Sequence, residues 1–395
     1  MPRLTSITGT NSSNSSSSSS GELLGYISGI STYDYRSFDF SEANGGSIAV
    51  WRKGSNELAL YTDVKSGTGG AFSAVSTATT VSSGVDTQGY YQCAMNDSYI
   101  YLGRPFANSN DGRLDVYSYS ATAIGSRAEG SPNTGAGYLT TNNFGFARIA
   151  AAETGNNLLV QDGYTGHRAM LFASVTNISP NGVNIFTSTT TSLTRFTRGY
   201  ALTTDNGLIN SGSDYFYLIT RTPSINDVDV SWFRVTNNSI AWNGRKVASG
   251  NSGEVQRHQH AAWNTTTTAL WAGTGSGAGT QAFLQEVDSG PPGTATLIYS
   301  NDSLSSDGSI AIQPGRSAGS AVMISAGKVF VTPDATVAWP NTQWTEVADL
   351  LDLVPGITAT RGLTRWPFGT DIVVMGTNSG RIHVFNIKGI LDTYT

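Results

Sequence analysis

Short apolar runs that close at or near a glycine recur along the chain. They read SIAVWRKG from Ser47, YIYLG from Tyr99, NLLVQDG from Asn157, ALWAG from Ala269, AVMISAG from Ala321 and DIVVMG from Asp371. YFYLITR from Tyr215 fills a seventh place, with Arg221 where the glycine stands elsewhere. A second run, richer in aromatics, comes after each: ELALYT from Glu57, RLDVYSY from Arg113, RAMLFAS from Arg168, DVSWFRV from Asp229, QAFLQEV from Gln281, KVFVTPD from Lys328 and RIHVFNI from Arg381. These runs start 47 to 61 residues apart, 54 on average, which is the spacing of a repeat architecture.

Both kinds of run are short, β-branched or aromatic, and bounded by Gly, Asn, Ser or Asp, so they predict strands. The last pair, DIVVMGTNSGRIHVFNI, is the clearest hairpin, with Thr377 to Gly380 in its turn. Continuous apolar runs such as IVVM suit strands covered on both faces, while the more alternating second runs suit one wetter face. A third element precedes each pair: YRSFDF from Tyr35, GYYQCAM from Gly89, GFARIAA from Gly145, TRGYALT from Thr197, HQHAAWN from His258, GSIAIQP from Gly308 and TRGLTRW from Thr360. Its small residues suit strands crowded around an axis. A fourth, Ser- and Thr-rich element comes after most pairs, as at Ala71, Asn184, Ser239 and Thr294; polar edges of this kind discourage edge-to-edge pairing.

Four antiparallel strands repeated radially describe a β-propeller, here seven-bladed and all-β. The seventh unit ends at Ile387 without a fourth run, and spare strand-like sequence lies at Glu22 to Ile30. That N-terminal strand is expected to close the ring by pairing with Arg381 to Ile387. No segment keeps a 3.6-residue period over 11 residues. TEVADLLDLVPG, from Thr345, predicts one or two helical turns at most.

Composition sharpens the picture. The chain has 395 residues, of which 13% are charged, with a formal net charge of −5. That balance argues against a generic nucleic-acid binder. One cysteine, Cys93, excludes an internal disulfide framework and a multi-cysteine metal site. No apolar run reaches the ~18 residues of a membrane span. The N-terminal MPRLTSITGT lacks the apolar core of a secretory signal. NSSNSSSSSSG, from Asn11, has the composition of a flexible tether. The expected organisation is a docking peptide and tether over residues 1–21, a propeller over 22–387 and a C-terminal peptide over 388–395.

Candidate chemistry is sparse. His258 and His260 stand two apart on one strand face, yet a zinc site needs a third ligand, and none is near in sequence. Asp227 and Asp229 fall on one strand face, and paired carboxylates can serve glycoside hydrolysis, yet the first strands carry little acid beyond Asp39. The loops at Asp111 and Asp307 do not complete a calcium motif. The glycine string from Gly273 lies between two strands of a hairpin, not between a strand and a helix as a dinucleotide fingerprint requires. No catalytic residue, cofactor or metal is therefore expected. Trp263, Trp271, Trp339, Trp344 and Trp366 crowd the C-terminal half. They read as packing between blades, with Trp263, Trp271 and Trp366 as candidates for stacking on a glycan. Arg36, Arg148, Arg198, Arg257, Arg361 and Arg365 fall in or beside first strands, where they can ring an axial channel or pair with the acidic excess.

DIVVMGTNSGRIHVFNIKG resembles a repeat of WD40-like propellers, in which a GT-x-x-G turn precedes a strand ending in an aromatic. Phe385 and Asn386 stand where that family has Trp-Asp. The Gly/Ser/Thr/Asn-rich body, the direct start and the short KGILDTYT ending are similar to structural proteins of tailed bacteriophages. That resemblance implies a non-enzymatic component of a virion, in its tail, baseplate or capsid surface. Leu4 and Ile7 would dock on other virion proteins, several copies would assemble, and the disc would meet a host-surface protein or glycan. The alternatives are an extracellular carbohydrate-binding propeller and, behind it, a glycan-cleaving enzyme.

Overall fold

The computed structural model describes residues 21–31, 37–80, 92–104, 113–130, 146–151, 158–162, 169–172, 198–205, 213–221, 228–236, 239–248, 257–263, 268–274, 279–286, 296–301, 303–304 and 310–395. Strand β1 (Glu22–Ile27) comes first. Next is a sheet of β2 (Phe38–Ser41), β3 (Ser47–Arg52), β4 (Glu57–Tyr61) and β5 (Ser76–Thr79). The second sheet holds β6 (Gln92–Met95), β7 (Tyr99–Arg104), β8 (Arg113–Tyr119) and β9 (Ile124–Gly130). The third holds β10 (Phe146–Ala151), β11 (Leu158–Asp162) and β12 (Ala169–Phe172). The fourth holds β13 (Arg198–Asp205), β14 (Ser213–Arg221), β15 (Val228–Thr236) and β16 (Ser239–Ala248). The fifth holds β17 (Arg257–Trp263), β18 (Thr268–Thr274), β19 (Thr280–Glu286) and β20 (Thr296–Asn301). The sixth holds β21 (Ile310–Pro314), β22 (Ala321–Ser325), β23 (Lys328–Thr332) and β24 (Thr345–Asp349). The last is built of β25 (Thr360–Arg365), β26 (Ile372–Thr377) and β27 (Arg381–Asn386), with β1 added at its edge.

The chain is thus all-β, with several four-stranded antiparallel sheets. The apolar runs that end near glycine are the second strands, and burial explains their composition. AVMIS of β22 and IVVMGT of β26 are buried at every position. STAT of β5 alternates between half-buried and exposed, as an outer strand should. The first strands lie against one another in succession: β2 by β6, β6 by β10, β10 by β13, β13 by β17, β17 by β21 and β21 by β25. The core sits between neighbouring sheets. Ala49, Trp51 and Leu60 of one sheet pack on Cys93, Ile100 and Leu102 of the next. Leu270, Ala272 and Ala282 pack likewise on Ile310, Ile312 and Met323.

Strand β1 joins the two ends of the chain. It pairs antiparallel with β27, Leu23 opposite Phe385 and Ile27 opposite Ile382, as the unpaired seventh unit required. Its other edge is also taken. Gly69 N donates to Leu24 O at 2.8 Å, Tyr26 N to Gly70 O at 3.0 Å and Phe72 N to Tyr26 O at 2.8 Å. Residues 69–72 belong to the connection before β5, so β1 bridges the last sheet and the first. This changes the predicted outer strand at Ala71, whose pairing with β4 begins only at Ser76, because the residues before it bond to β1 instead. Gly25 permits the close approach: a Cβ there would stand 2.5 Å from the Gly70 carbonyl oxygen and 2.6 Å from the Phe72 ring.

Two further expectations change. TEVADLLDLVPG forms strand β24 and then a single 3-10 turn, Leu350–Leu353, capped by the Asp349 carboxylate accepting from Leu351 N at 2.9 Å. The C-terminal residues are part of the body: helix α1 (Lys388–Tyr394) buries Ile390 and Leu391 in the core beside Leu350 and Val354. Outer strands β9 and β24 had no Ser/Thr-rich signature to reveal them. The fourth run predicted from Asn184 lies outside the described residues.

Candidate functional site

Three first strands meet around one carboxylate. Asp39 of β2 holds Arg365 of β25, Oδ1 to Nε 3.3 Å, and accepts from Met95 N of β6 at its Oδ2, 2.9 Å. The same Arg365 Nε donates to Phe38 O at 3.2 Å. Asp39 therefore ties the last sheet, the first and the second together at their inner strands. Burial pushes its carboxyl above the ordinary range, while Arg365 and the Met95 and Phe40 amides pull it back. Cys93 stands nearby at 1% exposure, its thiol driven far up by burial and by the Asp39 charge, so it is not the thiolate a nucleophile needs. Asp39 is a structural staple, and it was legible only as a lone acid in a first strand.

The other candidates separate. Leu4, Ile7, Arg36, Asp111, Asp227 and Asp307 lie outside the described residues. Asp229 is the second residue of β15, across from Thr220. His258 and His260 lie on β17, His260 across from Ala272. Among the described residues no three His, Cys, Asp or Glu gather as metal ligands.

Two of the tryptophans proposed for glycan stacking have no free face. Trp271 is fully buried and stacks on Phe283, centroids 4.1 Å apart and planes 15° from parallel. Trp366 is 3% exposed and donates its indole N–H to Thr370 O at 2.8 Å. Trp263 closes β17, across from Ala269. Among the described residues the exposed indole is that of Trp339, at 38%. It meets the Tyr299 ring edge-on at 5.7 Å, and half-buried Trp344 meets the same ring at 5.7 Å. Asn301 Nδ2 donates to the Tyr299 hydroxyl at 3.3 Å, and Lys328 pairs with Glu346 at 2.7 Å on the adjoining strands. Sequence offered no means of ranking Trp339 above the others, because exposure depends on which loop crosses which sheet.

His383 is 1% exposed, its Nδ1 3.3 Å from Thr377 Oγ1 and its ring against Tyr26 and Phe385. Burial, with Arg381 adding to it, lowers its pKa from 6.5 to about 4. The folded state therefore holds this imidazole neutral, and its contribution to stability is lost as pH falls from about 6.5 towards 4. The penalty for charging it in place is on the order of 3 kcal/mol. His383→Gln is expected to flatten the decline of melting temperature across that window. An unchanged decline in the variant would assign it to other groups.

Ion pairs cross from strand to strand, as between Lys328 and Glu346 at 2.7 Å and between Asp39 and Arg365 at 3.3 Å. Ser41 Oγ donates to Asp97 Oδ1 at 3.1 Å and Gln313 Nε2 to Trp366 O at 2.7 Å, and both bonds join neighbouring sheets. Of the arginines read as an axial ring, Arg198, Arg257 and Arg361 stand at or next to the start of their first strands, Arg148 is the third residue of β10, and Arg365 closes β25.

No protein-family model and no curated protein matches this sequence. Solved structures match its fold. A chain of the mitotic checkpoint complex has a TM-score of 0.51 at 12% identity, over 98% of this chain and 99% of that one. A chain of hydrazine synthase from Kuenenia stuttgartiensis has a TM-score of 0.51 at 8% identity, over 90% of this chain and 97% of that one. Both neighbours are propeller-like, and at these identities the likeness concerns the fold alone.

Proposed function

We propose that this chain is a seven-bladed β-propeller serving as a non-enzymatic interaction scaffold, held on a larger particle by its N-terminal segment. The observation that carries the reading is β1 hydrogen-bonded on both edges, to β27 and to the segment before β5. Such stitching suits a rigid disc that bears load at its terminus. The phage-like composition and the serine tether favour a virion, with other virion proteins as partners of Leu4 and Ile7. Burying each of those side chains supplies on the order of 1.5–3 kcal/mol, multiplied by avidity when copies act together. In an assembly assay, Leu4→Ser with Ile7→Ser should lower incorporation into the particle and leave the isolated disc folded. Normal incorporation would remove the anchoring role, and robust glycan hydrolysis by the purified protein would remove the non-enzymatic one. A second reading, carbohydrate binding, is favoured by the exposed Trp339 beside Trp344 and the Tyr299 hydroxyl.

A further inference from the structure

We propose that the cleft between the first and last sheets binds a neutral monosaccharide. The cleft measures about 380 Å³, within the range of small-molecule sites. One wall belongs to the first sheet: Glu42 follows β2, and Lys65 lies in the 3-10 turn Val64–Ser66 after β4. The other belongs to the last sheet: Phe368 and Asp371 stand in the connection from β25 to β26, and Asn386 closes β27. Strand β1 joins these walls, with Glu22 opposite Asn386 and its other edge held by residues 69–72. The cleft is therefore made where the two ends of the chain meet, and no single sheet contains it. It lies apart from Trp339, whose loop bonds to Leu297 of the fifth sheet. An open indole face suits a chain laid over it, whereas a walled cleft suits a single ring.

The chemistry of the walls selects the ligand. Lys65 is paired with Glu42, and Arg316 with Asp371 at 2.8 Å. Asp392, which shares Arg316, is paired in turn with Lys388. Three cations and three anions cancel, so the cleft exerts little net pull on an ion. Hydrogen-bonding capacity is left over. Glu42 Oε1 is buried and has no hydrogen-bond partner among the described residues. The terminal torsion of a glutamate is soft, so a small turn of the carboxylate brings Oε1 to a hydroxyl in the cleft. Among the described residues the Asp371 carboxylate is engaged only at Oδ1, by Arg316. The Asn386 side chain is engaged only at Oδ1, which accepts from Lys388 N at 3.0 Å, and this leaves its amide donor open. A hydroxyl donates and accepts at once, so several on one ring match two acceptors and a donor. The half-buried Phe368 ring adds an apolar surface for the C–H face of a sugar. A phosphate or an amine would have to break an ion pair to be held, whereas a neutral ring takes the open positions as they stand.

The test titrates the full chain with glucose, galactose and N-acetylglucosamine. Saturation-transfer NMR should show contact with at least one of them, and the melting temperature should rise with its concentration, as for any ligand that binds the folded chain alone. In the parent protein the amide signals of Gly369 and Thr370, which line the cleft, should move with the sugar. Phe368→Ala and Glu42→Gln should each weaken binding roughly tenfold, the loss of one good contact. Trp339→Ala should leave it unchanged, and so should added salt, since the ligand carries no charge to screen. Contact with none of the three sugars, or binding that survives both cleft variants, would overturn the proposal. Binding lost in Trp339→Ala and kept in the cleft variants would remove this site while leaving carbohydrate binding at Trp339 in place. Inorganic phosphate or methylammonium moving the same amide signals more strongly than every sugar would overturn the choice of a neutral ligand. If a variant fails to fold, the amide signals of the parent decide.

Discussion

Removing residues 1–31 is expected to leave the protein unfolded or aggregated, whereas removing residues 1–20 should leave its melting temperature unchanged. The longer deletion takes away β1, which pairs with β27 along its length and holds residues 69–72 on its other edge. It also empties the places of Leu24, Ile27 and Ile30, which are 3%, 0% and 5% exposed and pack with Ile48, Val374 and Val384. At roughly 1.5–3 kcal/mol for each buried side chain, the apolar loss alone is about 5–9 kcal/mol. That matches the whole stability of a typical domain, about 5–15 kcal/mol. The bared edge of β27 then offers unpaired backbone groups for association. Circular dichroism melts of both truncations and the full chain decide it. Equal melting of all three would mean that β1 carries no stability.

Trp271→Ala is expected to cost about 3–5 kcal/mol, the usual loss on truncating a fully buried large aromatic. The indole is stacked on Phe283, with no exposed surface. That stack contributes beyond the area buried, by about 0.5–1.5 kcal/mol. Trp339→Ala should change stability far less, because that side chain keeps 38% of its surface in solvent. Denaturant titration of both variants separates the two roles. If the protein binds a glycan, the Trp339 variant should lose binding with its fold intact. A Trp271 variant that melted like the parent would return that residue to the surface.

The strands and their order were legible in the sequence. The second strands are apolar at consecutive positions because neighbouring sheets cover both of their faces, and this shows in a window of five or six residues, as in AVMIS and IVVMGT. The partner of Glu22–Ile27 was legible as well, since one unit lacked an outer strand and one strand lacked a unit. Features that depend on long-range contact were settled only by the tertiary structure. Trp271 fell in an apolar run and Trp339 in none, yet their exposure was settled by packing: one lies between packed strands and the other on a loop whose backbone N–H bonds the Leu297 carbonyl of the preceding sheet. Arg365 and Arg361 sit on one short strand, yet only Arg365 reaches Asp39, because β25 and β2 are brought together from the two ends of the chain. The C-terminal helix escaped detection because seven residues hold too short a period, and it is the core beneath Ile390 and Leu391 that keeps it folded.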